Sequence, residues 1–167
     1  MKYLMKRRWF EQKNDLSIFD EKRREVYRID VNTLSQGNKM SFRDTRDHEM
    51  AFISRKLSTK GVAFEIYHGD DLQAIVRRDV FSPSRCKFSV EVSHPDDLSA
   101  EGDFTEHEYT FMREGKPVGR VSKGYFGNRD SYGVEVGRGE DELILLAGAA
   151  VIDLCCRADG EAARVAS

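Results

Sequence analysis

Histidine and cysteine are the side chains best suited to metal binding and nucleophilic chemistry, and this 167-residue chain has few of either. The histidines are His48, His68, His94 and His107, and the cysteines are Cys86, Cys155 and Cys156. No histidine pairs with another ligand at zinc-site spacing beyond what chance gives, and C-x-x-C is missing. His48 and His68 fall in turn sequences, where we expect solvated side chains. His107, between two glutamates, is predicted to be an exposed strand residue, so the sequence predicts no metal site.

Other motifs that could carry chemistry are incomplete. The segment "GVEVGRGEDE" contains G-x-G, but no Lys-Ser/Thr follows, and the next residues are acids that repel phosphate. No G-x-S-x-G nucleophile elbow occurs, and no known signature places a histidine or asparagine for Cys86. The turns "HGDD" and "HPDD" lack the alternating oxygen ligands of a calcium loop. We therefore predict no catalytic residue, no metal and no cofactor, in a protein that is not an enzyme.

Composition narrows the partners and the compartment. The net charge is −2 and the pI about 6.1, so the whole chain carries no nucleic-acid signal. The N-terminus, "MKYLMKRRWF", has no apolar core segment and is not read as a signal peptide. Three cysteines is an odd number, and neighbouring cysteines on a helix do not easily bridge. These features predict a reduced, cytoplasmic protein that does not bind nucleic acid.

Basic residues near the N-terminus are the one charge feature that could bind a ligand. In a strand, Lys2, Lys6 and Arg8 would share one face, while Tyr3, Met5 and Arg7 would take the other. The candidate residues for an anionic ligand are Lys2, Lys6, Arg8, Lys13, Arg23 and Arg24. Basic side chains near an anionic membrane each gain about 1 kcal/mol when they reach it together. The alternative is that cations cluster by chance on the surface.

The most apolar segment, "EDELILLAGAAVIDLCC" (140–156), is predicted to be a buried helix. Its unbroken apolar run from Leu143 to Ile152 is too short to span a membrane, which takes roughly 20 residues. The acids at its start suit the positive end of a helix dipole, and Gly139 stands near the expected N-cap. Apolar residues cover all sides, so the helix must be enclosed by other structure. We therefore predict that the protein is not transmembrane.

The residues before this helix indicate antiparallel strands. Apolar and polar side chains alternate in runs such as Tyr27–Val31, Val62–Ile66, Phe88–Val92 and Tyr132–Val136. Turn sequences separate roughly ten to twelve such runs at the spacing of a barrel or sandwich. A closed antiparallel barrel around the helix would bury the apolar strand faces, enclose the helix and remove the strand edges. The sequence predicts a mainly β fold of this kind.

The order of these segments resembles the LURP-one-related family, whose fold is similar to the tubby C-terminal domain and the phospholipid scramblases. The matching segments include "SIFDEKRREVYRID", "FEIYHGDDLQAIVRRD", "GKPVGRVSKGYFGNRDSYGVEV" and "EDELILLAGAAVIDLCC". The resemblance implies a barrel of about twelve strands around a central C-terminal helix. In two turns where the family usually has glycine, this chain has Arg23 and Asp47. Tubby-like domains bind phosphoinositides and scramblases act at membranes, but their lipid-binding residues have no match here.

These observations predict one barrel domain over residues 1–157 and a frayed tail over 158–167. The predicted function is a non-catalytic tubby-like binding module for anionic phospholipid headgroups or phosphate-bearing ligands at a membrane surface. The alternative is a protein-interaction scaffold with no small ligand. The predicted location is cytoplasmic, peripheral at a membrane if lipid is the ligand.

Overall fold

The structure, a computed structural model, describes residues 1–8, 15–32, 39–58, 61–82, 85–92, 96–125 and 131–166. The strands are β1 (Lys2–Arg7), β2 (Leu16–Phe19), β3 (Glu25–Asn32), β4 (Lys39–Asp44), β5 (Glu49–Ser58), β6 (Gly61–His68), β7 (Asp71–Ser82), β8 (Arg85–Glu91), β9 (Leu98–Asp103), β10 (Glu108–Arg113), β11 (Lys116–Ser122) and β12 (Ser131–Val136). A 3-10 turn covers Lys123–Tyr125, and the helix α1 covers Glu142–Ala166.

The twelve strands form one closed antiparallel barrel. Each strand pairs with its neighbour in the chain, and β1 closes the sheet by pairing with β12, from Lys2 opposite Glu135 to Lys6 opposite Ser131. Because the sheet is closed, each of the twelve described strands pairs with a neighbour on both sides. The predicted barrel of about twelve strands around a C-terminal helix is confirmed.

The helix fills the barrel because its first half is apolar on every side. Leu146, Ala147, Ala149, Val151 and Ile152 have no exposed surface. They pack against inward side chains of the strands, such as the fully buried Met5, Ile18, Phe42, Ile53, Val90 and Phe111. The prediction of a buried helix is therefore confirmed.

Both helix ends differ from the sequence-based boundaries. Asp141, not Gly139, caps the start: its Oδ1 accepts the backbone N–H groups of Leu143 and Ile144 at 3.0 and 3.2 Å. Gly139 lies in the preceding turn with φ +81°. The helix ends at Ala166, so residues 158–166, predicted as a frayed tail, are helical. The domain boundary at 157 stays a prediction.

The two turns that lack the expected glycine keep a left-handed residue. Arg23 has φ 61° and Asp47 has φ 65°, the region that glycine adopts most easily. An aspartate holds each turn: Asp20 Oδ1 accepts two backbone N–H groups at 2.9 Å, and Asp44 Oδ1 does the same. The strand register shifts beside both turns, at Phe19 and at Arg43, which is typical of a type I turn followed by a bulge.

Candidate functional site

Alternating strand directions place successive connections at opposite ends of the barrel. We call the end where α1 begins the proximal end and the opposite one the distal end. The described turns after β2, β4, β6, β8, β10 and β12 lie at the proximal end. The chain leaves β1, β3, β5, β7, β9 and β11 at the distal end. Residues far apart in sequence are therefore neighbours whenever their turns share an end.

The proximal end is acidic. Every described turn there carries at least one carboxylate, among them Asp20, Asp47, Asp70, Asp97, Glu114 and Glu140. Several cations at this end are paired with these acids. Arg24 Nη2 lies 2.8 Å from Asp20 Oδ2, and Arg113 Nη1 lies 2.8 Å from Glu140 Oε2.

The described residues of the distal end are rich in cations. The cations include Lys6, Lys39, Arg55, Lys56, Arg77 and Arg78. Within the described part of the chain, no carboxylate forms an ion pair with the first four of these. Arg77 pairs with Glu91 at 2.9 Å, and Arg78 lies 6.0 Å from the centre of the Phe88 ring. The exposed carboxylates at this end include Asp79 and Glu106, and Glu106 pairs with Lys123 at 3.5 Å.

Strand register brings three of the distal cations into a row. Lys39, at the start of β4, lies opposite Ser54 of β5, two residues before Lys56. Lys56 and Arg77 both lie opposite Ala63, on either side of β6. Neighbouring strands are about 4.8 Å apart, so Lys56 and Arg77 stand about 10 Å apart at their backbones. The row has one cation on each of β4, β5 and β7, which together with β6 are four neighbouring strands.

The residues proposed from sequence as a single basic surface lie at two ends. Lys2, Arg23 and Arg24 are exposed at the proximal end, among the acidic turns. Lys6 and Arg8 are exposed toward the distal end, and Arg8 Nη2 lies 3.8 Å from Glu25 Oε1. Lys13 lies outside the described residues. The predicted alternation along β1 is confirmed, since Tyr3 and Met5 are buried and Lys2 and Lys6 are exposed.

Arg7 belongs to a buried polar cluster at the distal mouth of the barrel. Asp153 of α1 has 1% of its surface exposed and sits at the centre of the cluster. Its Oδ1 accepts hydrogen bonds from Arg7 Nη2 at 2.8 Å and from His107 Nε2 at 2.9 Å. Arg157, one helical turn later, places Nη2 3.0 Å from Asp153 Oδ2. The cluster fixes the helix against β1 and against the turn after β9.

The prediction that His107 is an exposed strand residue is wrong. Its surface is 8% exposed, its φ is 54°, and it lies in the turn between β9 and β10. Its ring stacks on Tyr132, with 4.5 Å between the ring centres. The flanking glutamates suggested a solvated strand. The alternation rule applies only to strands, so it could not predict that a turn residue folds inward. The buried aspartate on a distant helix is what holds it there.

Burial and the neighbouring cations change the pKa values of the ionisable groups in this cluster. Burial raises the pKa of the Asp153 carboxyl, but the hydrogen bond from His107 and the charges of Arg157 and Arg7 outweigh it. The net pKa of Asp153 is therefore below its ordinary value. Burial, followed by the negative charge of Asp153, raises the pKa of the nearby Tyr109 and Tyr132 hydroxyls well above their usual range.

A second polar contact fixes the start of the helix. Glu142, its first residue, accepts hydrogen bonds from the hydroxyls of Tyr3 and Tyr27, the latter at 2.7 Å. Burial and the adjacent Glu142 carboxylate raise the pKa of both tyrosines. The helix is thus tied to the barrel wall at the proximal end by Glu142 and at the distal end by Asp153.

A groove of about 620 Å³ crosses the outer faces of β9 to β12. It is lined by three glutamates, Glu101, Glu108 and Glu135, together with Arg120. Hydrogen bonding by Ser122, against a smaller effect of burial, lowers the pKa of Glu108, which keeps that side chain charged. The groove is therefore unsuited to an anionic ligand.

Within the described ranges, no three or more His, Cys, Asp or Glu side chains are grouped as a metal site would require. Cys155 and Cys156 form no disulfide, and the side chain of Cys86 lies outside the description. No helix in the described part of the chain is both long and apolar enough to cross a membrane.

A closed antiparallel barrel of twelve strands, filled by its own C-terminal helix, defines the class of protein. The chain belongs to the LURP-one-related family, whose model matches residues 1–153. It is 26% identical over 151 residues to YxjI, an uncharacterized protein of Bacillus subtilis (strain 168), with 90% of each chain covered. It is also similar to the X-ray structure of an Arabidopsis thaliana protein, with a TM-score of 0.66, 11% identity, and coverage of 91% of this chain and 90% of the other.

Proposed function

We propose that this protein is a non-catalytic binding module that attaches to anionic phospholipid surfaces or other phosphate-bearing ligands through the distal end of its barrel. The observation that carries the proposal is the difference in ion pairing between the described residues of the two ends. At the distal end, Lys6, Lys39, Arg55 and Lys56 have no ion pair among the described residues. Their charge is therefore available to an external anion, whereas Arg24 and Arg113 at the proximal end are neutralised by neighbouring carboxylates.

The positions of the side chains in the barrel change the set of candidate ligand-binding residues that was predicted from the sequence. Lys6 and Arg8 remain in the proposed surface, and Lys39, Arg55 and Lys56 join them. Lys2, Arg23 and Arg24 leave it, because an anionic surface that touched them would also approach the carboxylates of Asp20 and Glu21. Lys13 stays a sequence-based candidate.

The non-catalytic part of the proposal rests on how the barrel interior is used. Residues 144–154 of α1 occupy it and are buried. The buried ionisable group Asp153 is bound by Arg7, His107 and Arg157, in an arrangement that holds the helix in place. The proposed location is cytoplasmic, where reduced cysteines are normal.

The test is flotation with vesicles of phosphatidylcholine, with and without phosphatidylserine, at low and high salt. We expect binding only to the anionic vesicles at about 0.1 M salt. Binding should disappear at about 1 M salt, where the screening length falls from about 10 Å to about 3 Å. Absence of flotation with anionic vesicles at low salt would exclude a phospholipid surface. If inositol hexakisphosphate also failed to bind, the proposal would be overturned in favour of the protein-interaction scaffold.

Two matched triple variants locate the surface. The distal variant removes three charges from the distal end by changing Lys6, Lys39 and Lys56 together to Gln. The proximal variant removes three charges from the proximal end by changing Lys2, Lys22 and Lys116 to Gln. Each cation near an anionic membrane contributes about 1 kcal/mol, so the distal variant should bind about 100-fold more weakly. The proximal variant should bind like the wild type or better. Equal loss in both variants would contradict a distal binding surface.

A further inference from the structure

An exposed leucine stands at the distal end beside the basic row. Leu57, near the end of β5, has 77% of its surface exposed, the highest value among the exposed large apolar residues of the described chain. It lies on the same strand face as Ile53, whose side chain is fully buried in the core. A single exposed leucine is ordinary on a protein surface. Leu57 differs from such a residue in its position relative to the neighbouring strand and to the cations.

The end of β5 extends beyond its neighbour β4. Lys39, the first residue of β4, pairs with Ser54, so the residues from Arg55 to Ser58 lie past the start of β4. Four strand residues cover about 13 Å. Among the described strands, β6 alone continues beside them, with Val62 opposite Leu57. The hairpin of β5 and β6 thus carries Leu57 outward from the helix-filled core.

Cations lie near this leucine, on β5 itself and on the nearby strands β4 and β7. Arg55 and Lys56 immediately precede it, and neither has an ion pair among the described residues. Lys39 and Arg77 flank the hairpin on β4 and β7. An apolar side chain near the end of β5, with cations earlier on the same strand, matches the interface of an anionic bilayer, where acyl chains lie just beneath charged headgroups.

We infer that Leu57, near the end of β5, inserts into the acyl region of an anionic bilayer, while Lys39, Arg55 and Lys56 contact the headgroups. The inference rests on the proposed function and narrows it from phosphate-bearing ligands to a lipid surface. A soluble phosphate ligand would use the same cations but would gain nothing from the leucine. A bilayer gains from both, because burying a leucine side chain favours the bound state by about ten- to a hundredfold.

The test compares Leu57→Gln with Leu72→Gln. Leu72 is 48% exposed at the start of β7, which places the same residue type at the proximal end. Each variant and the wild type are titrated with phosphatidylserine-containing vesicles and with inositol hexakisphosphate, a soluble phosphate-rich probe. We expect Leu57→Gln to bind vesicles at least about tenfold more weakly, with no change toward the soluble probe. Leu72→Gln should match the wild type in both titrations.

The other outcomes separate the two proposals. If the wild type and both leucine variants bound vesicles with the same affinity, insertion would be overturned and the proposed function would stand. Binding to inositol hexakisphosphate but not to vesicles would also overturn insertion, and would identify a soluble ligand class. Binding to neither would overturn the proposed function itself. As a direct readout, Leu57→Trp in a Trp9→Phe background should shift its fluorescence to the blue with vesicles, while Leu72→Trp should not.

Discussion

Arg7 and Asp153 lie 146 residues apart and meet at 2.8 Å at the distal mouth of the barrel. The arginine comes from the strand that closes the barrel, and the aspartate comes from the helix that fills it. This one ion pair therefore connects barrel closure to helix placement. Because the side chain of Asp153 is completely buried while that of Arg7 is 23% exposed, the aspartate depends on its partners to remain charged.

Removing Arg7 should destabilise the fold. Arg7→Met leaves the Asp153 carboxylate with His107 and Arg157 only, and a lost hydrogen bond to a buried charge costs about 2 kcal/mol. Lys6→Met, the exposed neighbour on the same strand, is the control and should change stability by less than about 0.5 kcal/mol. Urea unfolding measures both. Equal stability of the two variants would mean that Arg7 contributes nothing to holding the helix.

The Asp153 carboxylate should also make stability fall in acid. Its pKa in the folded protein is lower than in the unfolded chain, so its stabilising contribution is complete above the unfolded value of about 3.9 and is lost as the pH falls through the folded pKa. Asp153→Asn removes this dependence. The stability difference between wild type and variant should be constant above about pH 5 and should narrow below about pH 4. A difference that widens in acid would contradict the direction of the shift.

Restoring glycine in the β2–β3 turn should stabilise the protein. Arg23 has φ 61°, a left-handed conformation that costs a residue with a side chain about 1 kcal/mol. Arg23→Gly should raise the melting temperature by about 2–4 °C in a chain of this size. Asp47→Gly should gain less, because aspartate tolerates this region better and Asp47 lies 3.7 Å from the Arg43 guanidinium. Gly61→Ala, at φ 107°, is the opposite change and should lower the melting temperature.

Adjacent positions in the central helix should respond in opposite directions. A methyl group added at Gly148 would meet Phe111 at 3.5 Å and Val90 at 3.9 Å, which are ordinary contacts. Gly148→Ala should therefore gain up to about 1 kcal/mol from helix propensity. Ala149→Arg places an unpaired charge where no surface is exposed, and should cost at least about 3 kcal/mol or give insoluble protein. A soluble Ala149→Arg variant with an unchanged melting temperature would contradict the buried helix.

The sequence alone determined the fold, because the signals for it are local. Alternation with period two identified the strands, and the all-round apolar surface of residues 143–152 required an enclosure, which together implied the barrel. It also determined the alternation of Lys2, Tyr3, Met5 and Lys6 along β1, since neighbouring side chains of a strand point to opposite sides. The turns at Arg23 and Asp47 kept their geometry without glycine because local aspartate caps hold them.

Only the tertiary structure decided which charges share a surface and which polar groups are buried. The candidate cations Lys2 and Lys6 are only four residues apart in the sequence, yet they lie toward opposite ends of the barrel. Conversely, Lys56 and Arg77 are far apart in the sequence but lie on either side of the same residue of β6. Likewise, His107 and Arg7 contact the buried Asp153 although both are more than forty residues from it in the sequence. Such contacts depend on strand register and barrel closure. These properties arise from the packing of the whole chain, and no local pattern encodes them.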